Sequence, residues 1–229
     1  MRRLLVSLVV GTLVLFVADR VAVSVAQRAI ASQLAASGEL TGQPQVSVRG
    51  FPFLTQALSG RYASIEVRAE GLAANRRVTQ FEAELVGVRL PLSAVLSGSV
   101  DRVPVDRLTS RVVLPYTDLE KRLARRRLEL SPAGDLLRVT GTVPVLGRRL
   151  SASALSSLQV DGNDVRVTAQ RFEVGFRPAD AVLTAALGSR LDIVFSVGKL
   201  PYGLTLTSVG VGPTGVQAVA TARGTTLTR

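Results

Sequence analysis

The chain has 229 residues, 47% hydrophobic and 20% charged, and a mean hydropathy of +0.32, which excludes a mainly disordered protein. Its length leaves room for one domain of about 200 residues behind a short leader, or for two very small ones. Cys and His are both absent, which excludes disulfides, thiolate metal sites, a lipid-modified or catalytic Cys, and the commonest general base and metal ligand.

The net charge is +11, carried almost wholly by Arg, with Lys only at 121 and 199. In plain terms this is a bias of GC-rich coding. In functional terms it is a surface that meets anions, either nucleic acid or anionic lipid headgroups. The N-terminus helps to choose between them. Arg2 and Arg3 precede an uncharged apolar run, Leu4 to Ala18, which ends at Asp19-Arg20. This is the layout of an export signal. Fifteen residues of helix reach roughly 22 Å, short of the roughly 30 Å bilayer core. Apolar residues resume at Val21, Ala22, Val23 and Val25, and Ser24-Val25-Ala26 offers a small-residue cleavage site. A cleaved leader and a retained anchor with Asp19 and Arg20 snorkelling both stay open, with residues 1–26 as the leader and 27–229 as a single domain. In either case the domain is expected outside the cytoplasm, membrane-anchored or secreted to the envelope, because the positive end stays inside. That placement favours an anionic membrane surface over nucleic acid.

Along the chain, residues 19–36 suit a helix, with Ala22, Val25, Ala26, Ala29, Ile30, Gln33 and Leu34 on one face. Ser37-Gly38 stops it. A strand opens at Val46 and Val48, and a short helix is expected over Pro52 to Leu58, closed by Gly60. Ala63, Ile65, Val67 and Ala69 alternate with polar residues, as do Phe81, Ala83 and Leu85. A strand ends at Leu114 before Pro115. Thr117 with Glu120 has the pattern of a capping box opening a helix over Asp118 to Arg126. Period two returns at Leu137 to Val143, Leu150 to Ala154 and, after the turn Asp161 to Asp164, at Val165 to Ala169. Pro178 is expected to begin a helix running to about Leu187. Ile193, Phe195 and Val197 form a strand, and Leu204 to Val211 with Val216 to Thr221 a hairpin. The pattern is α+β with a strongly bent antiparallel sheet.

Two stretches carry a family likeness: Gly50-Phe51-Pro52-Phe53-Leu54 through Gly60-Arg61-Tyr62 and on to Leu72, and Leu200-Pro201-Tyr202-Gly203-Leu204 through Val216. Together they resemble the LmeA-type family of actinobacteria. The resemblance implies an exported envelope protein that binds phospholipid, phosphatidylinositol included, and that supports envelope lipid or lipoglycan maintenance. It also implies a tubular lipid-binding fold, a curled sheet wrapped around a long N-terminal helix. It carries no catalytic residues and no cofactor, so a non-enzymatic protein is expected.

The candidate site is the Gly50–Tyr62 segment and the strand after it. Phe51, Phe53, Leu54 and Leu58 gather large apolar groups in a chain with 4% aromatics. They could line the mouth of an acyl-chain cavity together with Ile65 and Val67, with Arg61 and Tyr62 near a headgroup. The plainer account makes these residues a plug for one end of the core. Arg76-Arg77, Lys121 to Arg127 and Arg148-Arg149 are candidates for a basic rim. Two other classes compete: a partner-binding envelope protein with a closed core, and a cell-wall enzyme, for which no nucleophile-base pair or carboxylate pair is evident.

Overall fold

The computed structural model describes residues 2–38, 42–70, 80–91, 93–94, 102–123, 128–145, 148–174, 177–178 and 193–228. It is α+β, with one long helix and two open antiparallel sheets. Helix α1 runs unbroken over Arg2–Ala36. Nothing in the run from Arg2 to Ala36 is a proline, and the Asp19-Arg20 pair costs a helix little, so the helix expected over 19–36 continues back through the apolar run to Arg2. Gly38, at φ 70°, ends it in the left-handed conformation that favours glycine.

Contacts divide the chain into two compact units. One comprises residues 1–74, 82–109 and 222–229. It contains α1, strand β1 (Gln45–Arg49), helix α2 (Phe53–Ser59) and strand β2 (Arg61–Ala69). Residues 2–18 of α1 are all exposed, whereas Asp19, Val23, Ala26, Ile30 and Leu34 form a covered stripe at helical spacing. That stripe packs against β1 and α2. Val25, Ala29 and Gln33 of the expected face are exposed instead, because the helix is turned to bring Asp19 and Val23 inward. Strands β1 and β2 pair antiparallel with Val46 opposite Val67 and Val48 opposite Ile65. Strands β3 (Gln80–Arg89), β4 (Arg102–Pro115), β12 (Gly215–Thr228) and β11 (Thr205–Val211) continue the sheet in the order β1-β2-β3-β4-β12-β11.

The other unit comprises residues 75–81 and 110–221. Its sheet runs β10 (Ile193–Ser196), β8 (Asp164–Val174), β7 (Arg148–Asp161), β6 (Leu136–Val145) and β5 (Glu129–Ala133), with β9 (Arg177–Pro178) beside β8. The Asp161–Asp164 turn closes β7 onto β8, and Gly162 adopts φ 63° there. Helix α3 (Tyr116–Arg122) covers a core of Tyr116, Leu130, Leu137, Val139 and Val216. The Tyr116 hydroxyl donates to the Gly212 carbonyl at 2.6 Å, which satisfies a buried acceptor at the β11–β12 turn. Register breaks at Leu155/Ser156 and Leu206/Ser208 add local bends, as irregular pairing does in antiparallel strands.

One helix expectation is corrected. Helix α3 starts at Tyr116 with Pro115 before it and no side-chain cap, so Thr117 and Glu120 do not form a capping box. The Glu120 carboxylate instead accepts from the Leu130 N–H at 2.7 Å, tying the helix to β5. Pro178 lies in β9, opposite Glu173, and the rest of the helix expected to follow it falls on residues that the structure does not describe. Residues 179–187, and 124–126 of the expected α3 span, lie outside the described residues.

Candidate functional site

The Gly50–Tyr62 segment is built from local chemistry. Gly50 has φ 104°, and a Cβ there would lie 2.6 Å from the Gln56 amide nitrogen. Only glycine allows both that backbone and that approach. Gln56 then staples the segment: its amide oxygen accepts from the Ala63 N–H at 2.9 Å and its nitrogen donates to the Pro52 carbonyl at 3.4 Å. Gly60 ends α2 at φ 64°, and its carbonyl accepts from the Leu90 N–H at 2.8 Å. A Cβ at Gly60 would press to 3.0 Å from the Pro91 backbone, so the helix end and the exit of β3 fit closely only around glycine.

The eight sequence-predicted residues fall into two sets. Phe53 (6% exposed), Tyr62 and Ile65 are buried, and Leu54 and Val67 are half-buried. The Phe53 and Tyr62 rings meet at 6.2 Å between centroids. Burial pushes the Tyr62 hydroxyl above its ordinary titration range, so it is neutral at physiological pH. Phe51 (64% exposed), Leu58 (79% exposed) and Arg61 face outward. The structure therefore turns the Phe53 and Tyr62 rings inward onto each other, covers Leu54, Ile65 and Val67, and places an apolar pair on the surface.

Sequence reasoning missed what holds this segment. Helix α2 begins after Pro52, which offers no side-chain cap, so its first N–H groups need a partner from elsewhere. Asp19 of α1 supplies it: Oδ1 accepts from the Leu54 N–H at 2.8 Å. Its other oxygen pairs with the Arg20 guanidinium. Asp19 is 2% exposed, and these two partners are what make a buried carboxylate tolerable. The Arg20 guanidinium lies 5.4 Å from the Phe51 ring centroid and 6.0 Å from that of Phe16, while the two rings sit 5.9 Å apart. The one available signal was the proline-initiated helix without a Ser, Thr or Asp before it.

On the other face of β2, Glu66 is buried beneath guanidiniums from two strands. Arg49 donates to it at 2.7 Å, and Arg68 pairs with it and with Glu82. Hydrogen bonds from Arg49 lead the effects that hold the Glu66 carboxyl below the ordinary glutamate range, against the opposing effect of burial. Of the basic rim, Arg76, Arg77 and 125–127 lie outside the described residues, as do the side chains of Arg148 and Arg149. Lys121 is exposed, 3.3 Å from Asp118.

The family model for LmeA-like phospholipid-binding proteins matches residues 17–221. The match begins inside α1, two residues ahead of Asp19, and takes in the whole Gly50–Val67 region. Neither a curated protein nor a solved structure matches the chain.

Proposed function

The chain belongs to the LmeA-like phospholipid-binding family, and from that premise we propose that it is a non-enzymatic, membrane-anchored protein of the cell envelope that takes up phospholipid, with phosphatidylinositol-type lipids among its ligands. No cofactor takes part. The observation that carries the reading is the family match across nearly the whole chain, together with the Phe53–Tyr62 ring contact and the covered Leu54, Ile65 and Val67 inside that match. Acyl chains lie against these residues. Exchange between bilayer and protein is nearly neutral for the acyl carbons, since both environments are apolar, so such a site loads and unloads reversibly. Arg61 is placed for the headgroup, and support of envelope lipid or lipoglycan maintenance follows from carrying such lipids.

The same reading keeps α1 as a permanent anchor with the domain outside the cytoplasm. It is long and apolar enough to cross a membrane, and its residues 2–18 are exposed. Cleavage after Ala26 would discard Asp19 and leave the Leu54 N–H without its acceptor, as well as the first ten residues of the family match. Binding of fluorescent phosphatidylinositol to the full chain in detergent, competed by unlabelled phospholipids, tests the ligand assignment. Saturable uptake that Leu54→Asp abolishes supports it, and a chain that takes up no phospholipid overturns it. A partner-binding protein with a closed core is the alternative that the second outcome would leave standing.

A further inference from the structure

The geometry points to the Phe51–Pro52 corner and the outer face of α2 as a contact with the bilayer interface, pinned there by Asp19. The inference rests on the reading of α1 as a retained anchor and says where the domain meets the lipid.

Depth along α1 fixes the argument. Fourteen residues separate Arg2 from Phe16, a rise of about 21 Å. With Arg2 and Arg3 held at one interface, Phe16 lies within a hydrocarbon core about 30 Å thick, roughly 9 Å short of its far edge. The Phe51 ring is 5.9 Å from the Phe16 ring, so Phe51 shares that depth. It is an exposed aromatic ring on the domain side of the junction. Phe51, Thr55, Leu58 and Ser59 form the exposed side of the corner and of α2, and Leu58 is the most exposed large apolar residue of the segment. A large apolar ring beside an anchor helix is accommodated by lipid and not by water.

The charges agree. The Asp19 carboxylate, which lipid would reject, is hidden against the Leu54 N–H and neutralised by Arg20. Arg20 keeps an exposed guanidinium above the Phe16 and Phe51 rings, the arrangement of a snorkelling cation with an aromatic base, and faces anionic phosphates. Because Asp19 caps α2, the anchor and the corner move as one piece. A phospholipid then reaches the Phe53–Leu54 side from the headgroup layer without crossing water.

The absence of Cys makes the test clean, since a single introduced Cys takes a single label. The full chain carrying an environment-sensitive fluorophore at Phe51→Cys or Leu58→Cys is reconstituted in phosphatidylcholine–phosphatidylglycerol vesicles and floated on a density gradient. The expected result is quenching at position 51 several-fold stronger by nitroxide-bearing lipid than by aqueous iodide, with weaker lipid quenching at 58. Floating vesicles in which both labels answer only to iodide overturn the inference and leave the anchor intact. A chain that does not float overturns the anchor reading itself. Asp19→Ala is expected to shift position 51 towards iodide quenching, and Asp19→Leu, which fills similar space without an acceptor oxygen, serves if the alanine variant does not fold. Quenching unchanged in the variant measured would remove Asp19 as the pin.

Discussion

The Asp19 carboxylate of α1 accepts a hydrogen bond from the Leu54 N–H at 2.8 Å, joining the apolar N-terminal helix to a segment 35 residues further on. A feature that looks in sequence like a charge interrupting a hydrophobic run is the cap of another helix. Asp19→Ala should therefore lower the melting temperature of the full chain by several degrees, with Asp19→Asn, which keeps an acceptor oxygen, closer to wild type. Amide exchange at Leu54, followed residue by residue, should quicken in the alanine variant before the sheets open.

Removal of residues 1–26 should have the same local effect. The 27–229 fragment loses the acceptor for Leu54 and should show fast exchange over α2 and a lower midpoint in urea than the full chain in the same detergent. Equal midpoints would mean that the α1–α2 contact carries no stability.

Phe53 and Phe51, two residues apart, should respond oppositely. Phe53 is buried against Tyr62, so Phe53→Ala should cost about 3 kcal/mol. Phe51 is mostly exposed, and Phe51→Ala should cost under about 0.5 kcal/mol. Denaturant titrations of the two variants check the contrast.

Glu66 gives the pH dependence. Its carboxyl is held below the ordinary value of 4.5, so it binds fewer protons folded than unfolded. Its stabilisation is present above pH 4.5 and is lost as the pH falls through the lowered folded value. Glu66→Gln should flatten that acid limb and lower stability at neutral pH by about 1 kcal/mol, since Arg49 and Arg68 are more than half exposed and solvent screens them. Melting curves between pH 3 and 7, on a scale of roughly one pKa unit per step, read both effects.

Tyr116→Phe removes the hydroxyl that satisfies the Gly212 carbonyl and should destabilise the second unit by about 1–2 kcal/mol. Tryptophan is absent, so the change is best followed by the near-ultraviolet signal of the remaining tyrosines.

Local pattern carried what is local. The existence of strand β2, the Gly60 stop of α2 and the turn at Asp161–Asp164 were legible, because period and backbone freedom are written in adjacent residues, although Ala63 of the apolar set is exposed. What depended on partners distant in sequence was not. Glu120 has the spacing of a capping box, yet its acceptor serves Leu130 ten residues on. Glu66 stands on the polar face of β2 and is nonetheless buried, because arginines from β1 and β2 itself fold over it. Of the candidate site, the segment was legible and the division between inward Phe53 and outward Phe51 was not, since α2 turns the two rings to different sides and Asp19 sets where α2 begins.

Native mass spectrometry of the full chain, purified in mild detergent with extraction and identification of any bound lipid, tests the central claim most directly. The account predicts a retained phospholipid, diminished by Leu54→Asp in a variant that keeps its strand signal. A folded chain that carries no lipid and takes up none from phosphatidylinositol-containing vesicles would contradict it.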